Sequence, residues 1–301
     1  MKHQYHPLGF EGSRISQGFW RMNEWGFNAQ ERLAFIEQAM ELGVTTFDHA
    51  DIYGDYRCES LFGEALKIKP ELRDGIQLIS KCGIRLPSDQ RPDVRRYRYD
   101  HSPEHIIRSV EQSLLNLDTD YIDLLLLHRP NPLMDPDDVA GAFEHLFTLG
   151  KVKHFGVSNF SPAQFDLLQS RLEVPLIVNQ IELSVVAPKH IEDSSLNHLQ
   201  QHAVTPMAWS PFGGGALFKE MGLSSHQEEV KGVLQKVASE QDASVDQIAL
   251  AWLLQHPSKI CPVLGSGKVE RLSSAVDALN VSLSQDQWFD IWAAARGQPL
   301  P

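Results

Sequence analysis

Cysteine is scarce in these 301 residues: Cys58, Cys82 and Cys261 stand far apart, odd in number and without a C-x-x-C pair. Such a set argues against a disulfide framework or a zinc site and favours a reducing compartment. No apolar run approaches the about 20 residues of a membrane span. Met1 to Pro7 is polar and has no apolar h-region, so a secretory leader is not expected and the cytoplasm is the expected location. Positive charge is in deficit, 27 Lys and Arg against 39 Asp and Glu, for a formal net charge of -12. A nucleic-acid surface needs a basic stripe, so neither nucleic acid nor membrane is an expected partner. One local basic pocket for an anionic cofactor remains compatible with that balance. Also missing is a Gly-x-Gly-x-x-Gly after an early strand. Gly213-Gly214-Gly215 lies late and matches neither that fingerprint nor a P-loop, which leaves a Rossmann reading little support.

What is present is the composition of a globular chain, 42% apolar and 22% charged, enough for a full core. Residues 1–22 mix short apolar pieces with Gly9, Gly12 and Gly18, which suits a hairpin or lid. Strands are expected at 42–47, 76–80, 121–127, 153–157, 175–179, 204–209 and 260–264, with one more near 14–20. Helices are expected between them. Asn28 and Glu31 form a capping box, Ser102-Pro103 and Ser161-Pro162 open helices, and a helix near 190–202 precedes strand 204–209. A last helix, 284–295, follows the eighth unit. The polar, Arg- and Pro-rich segment 82–101 reads as a loop over one end of the fold. Eight alternating units without a dividing linker predict an α/β fold, one (β/α)₈ TIM barrel domain over 1–301 with an N-terminal hairpin and an extra C-terminal helix.

Three of the apolar runs end on ionisable residues. The run through Phe47 delivers Asp48 and, five residues later, Tyr53; Ile76–Ser80 stops at Lys81; Tyr121–Leu127 stops at His128. Burying such groups without partners is costly, and in a barrel of this kind the site sits at the strands' C-terminal ends. An ammonium beside a phenol lowers the phenol's pKa, a carboxylate keeps the ammonium charged, and an imidazole can orient a carbonyl oxygen. Together they make a proton donor suited to carbonyl reduction, provided a hydride arrives from elsewhere. The plain alternative is four ordinary polar strand ends.

The segments Phe47-Asp48-His49-Ala50-Asp51-Ile52-Tyr53-Gly54, Ser80-Lys81, Leu127-His128-Arg129-Pro130 and Gly156-Val157-Ser158-Asn159-Phe160 resemble the signature segments of the aldo-keto reductases. The resemblance runs from about Gly18 to Leu279. Asp48-His49-Ala50, Lys81-Cys82-Gly83 and Gly265-Ser266-Gly267-Lys268 are most like the bacterial YdhF-like oxidoreductases of that family. It implies a barrel binding NADP(H) without a Rossmann domain, with Asp48, Tyr53, Lys81 and His128 as catalytic tetrad. Tyr53 would be the general acid, Lys81 its tuner, Asp48 the partner of Lys81, and His128 the carbonyl-orienting group. His49 departs from the small or Thr-like residue usual after the Asp and reads as packing beside the site.

The resemblance also assigns Ser158, Asn159 and Gln180 to the nicotinamide carboxamide and Trp209 to stacking on its ring. Ser210, Pro211, Phe212 and Gly213 become the start of a loop beneath the pyrophosphate, and 215–223 a lid. Gly265, Ser266, Gly267, Lys268 and Arg271 offer amides, a hydroxyl and two cations to a 2′-phosphate, which favours NADPH over NADH. Ser274 and Ala275 occupy places where the family often has adenine contacts. Trp20, Ile52, the 82–101 loop and 210–225 are candidates for lining a pocket for a small aldehyde, ketone or quinone. Arg129, by alternation along an extended chain, is expected to point away from the site. The remaining histidines, His145 and His198 among them, suggest no metal site. The expected state is a monomer or small homo-oligomer. Two other classes use the same barrel: a nucleotide-binding regulatory subunit with little turnover, and an aldolase with Lys81 as Schiff-base lysine.

Overall fold

The computed structural model describes residues 1–219 and 222–298. It opens with an antiparallel hairpin, β1 (Lys2–Gln4) and β2 (Glu11–Ser13). The strands that follow are β3 (Ser16–Gly18), β4 (Thr46–Asp48), β5 (Gln77–Cys82), β6 (Ile84–Arg85), β7 (Arg98–Tyr99), β8 (Ile122–Leu127), β9 (Val152–Ser158), β10 (Leu176–Glu182), β11 (Thr205–Trp209) and β12 (Cys261–Leu264). All but β6 and β7 join a closed eight-stranded barrel in the order β3-β4-β5-β8-β9-β10-β11-β12, and each strand is parallel to its neighbours. The expected (β/α)₈ architecture is therefore the observed one.

The helices are α1 (Ala29–Glu41), α2 (Tyr53–Tyr56), α3 (Cys58–Ile68), α4 (Pro103–Leu117), α5 (Pro136–Thr148), α6 (Pro162–Gln169), α7 (Lys189–Glu192), α8 (Ser195–Gln201), α9 (Ser225–Gln241), α10 (Val245–Leu254), α11 (Val269–Asp277) and α12 (Gln285–Arg296). Reciprocal capping boxes start α1 from Asn28, α6 from Ser161, α9 from Ser224 and α12 from Ser284, each cap worth about 1 kcal/mol. The apolar faces of the helices pack on the outside of the barrel in three buried clusters. A fourth cluster fills the barrel itself, where Tyr5 and Phe10 of the hairpin join Leu124, Leu126 and Met207. The hairpin is tied to the strands' amino ends: Ser13 N donates to Thr46 Oγ1 at 2.8 Å and Thr205 Oγ1 to Tyr5 O at 2.7 Å. Closing that end leaves the carboxyl rim as the open one.

Three local expectations shift. Residues 42–45 do not extend β4, because Gly43 takes φ +79 and ends α1 in the left-handed geometry that glycine tolerates best. The helix foreseen at 190–202 is two, α7 and α8, broken where Ser194 sits at φ +68. Segment 82–101 is not a plain loop. It pairs with itself through β6 and β7, Ile84 opposite Tyr99 and Arg85 opposite Arg98, and ladders this short leave no periodicity to read. Residues 213–218 form a 3-10 turn; Glu220 and Met221 of the foreseen lid lie outside the described residues. Among the described residues no helix is long and apolar enough to cross a membrane.

Candidate active site

Register brings the three strand ends together. Gly18 of β3 lies opposite Asp48 of β4, Asp48 opposite Ile79 of β5, and Lys81 of β5 opposite Leu126 of β8. Asp48 therefore ends β4 beside Lys81, and His128 directly follows β8. Tyr53 enters from the first turn of α2, where left-handed Gly54 and Asp55 bend the chain.

The Lys81 side chain is fully buried. Its Nζ donates to Asp48 Oδ2 at 2.7 Å, to the backbone oxygen of His49 at 2.7 Å and to Tyr53 Oη at 2.8 Å. Three acceptors match the three protons of an ammonium. Because Tyr53 Oη accepts from Lys81, its own proton is free to be donated. The His128 ring stands edge-on to Tyr53 with centroids 5.8 Å apart.

The electrostatics correct one expectation. Burial pushes the Tyr53 phenol well above its usual range, Asp48 adds to the rise, and only the Arg129 guanidinium among the leading influences opposes it. Burial lowers Lys81, against the pull of Asp48, Asp51 and Glu59. His128 is driven well below the usual imidazole range by burial, then by Lys81 and Arg129. Burial and the Asp48 carboxylate raise the phenol and burial lowers the imidazole, so the free site at neutral pH holds a neutral phenol and a neutral imidazole.

His49 is fully buried, stacked on Phe19 at 4.7 Å and 3° and edge-on to Phe62 at 4.5 Å. Neither ring nitrogen has a hydrogen-bond partner, and burial followed by Lys81 lowers its pKa to about 3. It packs, as expected, while its backbone oxygen holds Lys81.

Beside the tetrad, Ser158 Oγ donates to Gln180 O at 2.8 Å, and Asn159 Nδ2 donates to Ser158 Oγ at 2.7 Å. Trp209 Nε1 donates to Asn159 Oδ1 at 2.9 Å, and Gln180 Nε2 to Asp48 Oδ1 at 2.8 Å. The foreseen carboxamide residues and the stacking aromatic thus form one chain of hydrogen bonds ending on the tetrad. That link to Asp48 has no sequence signal, being made across 132 positions. Arg129 does not point away. Its guanidinium lies 5.4 Å from the Trp209 ring centroid and its field reaches Tyr53 and His128; once β8 has ended, strand alternation no longer governs its direction. Asp51 and Glu59 were also missed. Both are buried, and Glu59 accepts from Ser80 Oγ at 2.6 Å and Asn116 Nδ2 at 3.2 Å. Their nearness in sequence to Asp48 was the available signal.

The second group of residues lies around the start of α11. Lys268 is the N-cap and supplies no side-chain cap, so the first amides of that helix lack a partner of the kind Ser284 gives α12. Lys268 and Arg271 are exposed. Gly265 faces open space, whereas a Cβ on Gly267 would come within 2.5 Å of the Trp25 ring. Ser210 and Gly213 both take left-handed φ, Pro211 is buried, and Phe212 packs on Phe218 at 5.2 Å as well as on two core clusters. Ser274 Oγ is engaged with Asp246 at 2.8 Å and Ala275 is core. Trp20 is 57% exposed at the rim, with Arg21 4.9 Å over its ring.

A closed parallel barrel whose carboxyl rim joins Asp, Lys, Tyr and His defines a class, the barrel oxidoreductases that lack a Rossmann domain. Comparison with known proteins makes it specific: the chain belongs to the aldo/keto reductase family, whose model matches residues 14–296. It is 50% identical over 290 residues to the oxidoreductase YcsN of Bacillus subtilis, with 96% of each chain covered. It is 49% identical to the oxidoreductase YdhF of Escherichia coli, covering 98% of this chain and 97% of that one. A 6-dehydroglucose reductase of Agrobacterium fabrum is 43% identical, with 96% of each covered. Among solved structures, the thermostable aldo-keto reductase Tm1743 in complex with epalrestat superposes with a TM-score of 0.83 at 25% identity, over 98% of this chain and 99% of that one.

Proposed function

We propose that residues 1–301 form a single NADP(H)-binding barrel that reduces the carbonyl group of a small aldehyde or ketone to an alcohol, with Tyr53 as general acid. The observation that carries this reading is the Lys81 ammonium, whose three hydrogen bonds leave the Tyr53 proton uncommitted. NADPH, when bound, supplies the hydride. Tyr53 then donates its Oη proton to the oxygen that gains charge, a contribution of about 10²–10⁴ in rate for a positioned acid. Lys81 stabilises the phenolate left behind, Asp48 holds Lys81 in place, and neutral His128 orients the carbonyl oxygen. Burial keeps the phenol protonated until charge develops on the substrate, which suits an acid.

The residues present fit the cofactor. Uncapped amides at the start of α11, the hydroxyl of Ser266 and the exposed cations Lys268 and Arg271 suit a 2′-phosphate. Gly213 and its neighbours suit the pyrophosphate, while Ser158, Asn159, Gln180 and Trp209 suit the nicotinamide. The same three hydrogen bonds weigh against a Schiff-base role for Lys81, since attack needs a free amine lone pair. The 43% identity to a 6-dehydroglucose reductase supports including polyhydroxylated aldehydes in a substrate screen, with Trp20 and Arg129 facing them at the rim. Tyr53→Phe is the test. It should abolish reduction while NADPH still changes tryptophan fluorescence at the wild-type concentration; normal turnover by this variant would remove Tyr53 as the acid.

A further inference from the structure

Away from the rim, the fold gathers a second cluster whose members are 32 residues or more apart in two groups. Asp166 lies on α6; His198 and His202 stand at i and i+4 on α8 and its C-cap. His198 Nε2 is 2.7 Å from Asp166 Oδ1, and His202 Nε2 is 3.7 Å from the same oxygen. The two imidazole rings have centroids 4.6 Å apart, and one ligand atom from each of the three residues lies within 4.8 Å of the others. The buried Phe165 ring stands edge-on to His198 at 5.3 Å and tilted to His202 at 6.3 Å, which limits the ring orientations available.

We propose that Asp166, His198 and His202 form a site for a transition-metal dication of the zinc type, clamping α6 to α8. Two imidazoles and one carboxylate are a borderline-soft donor set that selects such ions over Mg²⁺ or Ca²⁺. Bonds of about 2.0–2.2 Å in tetrahedral geometry separate ligand atoms by roughly 3.3 Å, inside the range already spanned here. The fourth position is open to water because Asp166 and His202 are half exposed. His202 precedes β11 by three residues, at the strands' amino ends, so the site belongs to the framework and not to the rim chemistry. The histidines by themselves suggested no metal site in the sequence, because the carboxylate beside them comes from another helix.

Tag-free protein titrated with Zn²⁺ in a calorimeter tests the proposal, with Mg²⁺ as comparison. The expected result is one saturable Zn²⁺ per chain, a Zn²⁺-dependent rise in Tm, and no response to Mg²⁺. Losing an outer-shell partner of a metal costs about 10–100-fold in affinity, so loss of a ligand in His198→Ala should cost at least tenfold. His198→Ala also breaks the short bond to Asp166 and lowers the metal-free Tm. His202 makes no such short bond, so His202→Ala separates the two effects: its metal-free Tm should fall less than that of His198→Ala while Zn²⁺ uptake weakens at least tenfold. Wild-type protein that takes up no Zn²⁺, or His202→Ala that takes it up as tightly as wild type, overturns the site.

Discussion

Replacing Asp48 by Asn removes one charge of a pair whose side chains are 0% and 3% exposed. Lys81 would keep two neutral acceptors, His49 O and Tyr53 Oη, and Gln180 Nε2 would lose a carboxylate for an amide. Breaking a buried pair from one side costs about 3–5 kcal/mol, whereas replacing both members by apolar groups is often neutral. At pH 7 we therefore expect Asp48→Asn to lose about 3–5 kcal/mol, and the double variant Asp48→Asn/Lys81→Met to recover most of it. With a urea m-value near the upper end of about 1–3 kcal/mol/M, the single variant's midpoint falls by roughly 1–2 M. The pH dependence has a definite sign. Burial lowers the folded-state pKa of Lys81 below 10.5 while Asp48 opposes the fall. A lysine so depressed penalises folding below its folded pKa, and the penalty fades as pH rises from there to the unfolded value. Without Asp48 the folded pKa drops further, so the deficit of Asp48→Asn is largest at neutral pH and shrinks as the pH is raised. Urea melts of the three proteins at pH 7 and pH 9 measure it. A deficit under about 1 kcal/mol, the level of an exposed pair, or one that grows with pH, would refute the account of Lys81 as a buried ammonium held by Asp48.

Lys268→Ala/Arg271→Ala should weaken NADPH far more than NADH in a fluorescence titration; equal losses would take both residues away from the 2′-phosphate. His49 charges near pH 6.5 when unfolded and about 3 when folded, so the unfolded chain alone takes up its proton between those values and stability falls as pH falls. At about 1.4 kcal/mol per pH unit, His49→Phe should narrow the loss between pH 6.5 and 5 by about 2 kcal/mol, and parallel stability curves for the two proteins would contradict this. In Gly63→Ala the new Cβ would sit 2.0 Å from the backbone oxygen of Asn116, where α3 crosses α4; overpacking of this kind costs about 1–3 kcal/mol, and an unchanged Tm would show that the two helices separate freely.

Sequence by itself determined the architecture and the ionisable residues at the strand ends. Alternating buried runs and capped helices leave few solutions besides a closed parallel barrel, and a charged residue at the end of such a run must have a partner. Asp48, Lys81 and His128 were legible for that reason, with Tyr53 five residues past Asp48, and the Ser-Pro and Asn-x-x-Glu signals placed the helix starts because caps are local. Tertiary structure alone decided what depends on distance across the barrel. Gln180 reaches Asp48, Arg129 turns to Trp209 once β8 ends, and Asp166 meets His198 and His202 from another helix. It also decided the sign at Tyr53. Spacing brings an ammonium near the phenol, but the direction of the phenol's shift follows from burial and the Asp48 carboxylate, which raise it.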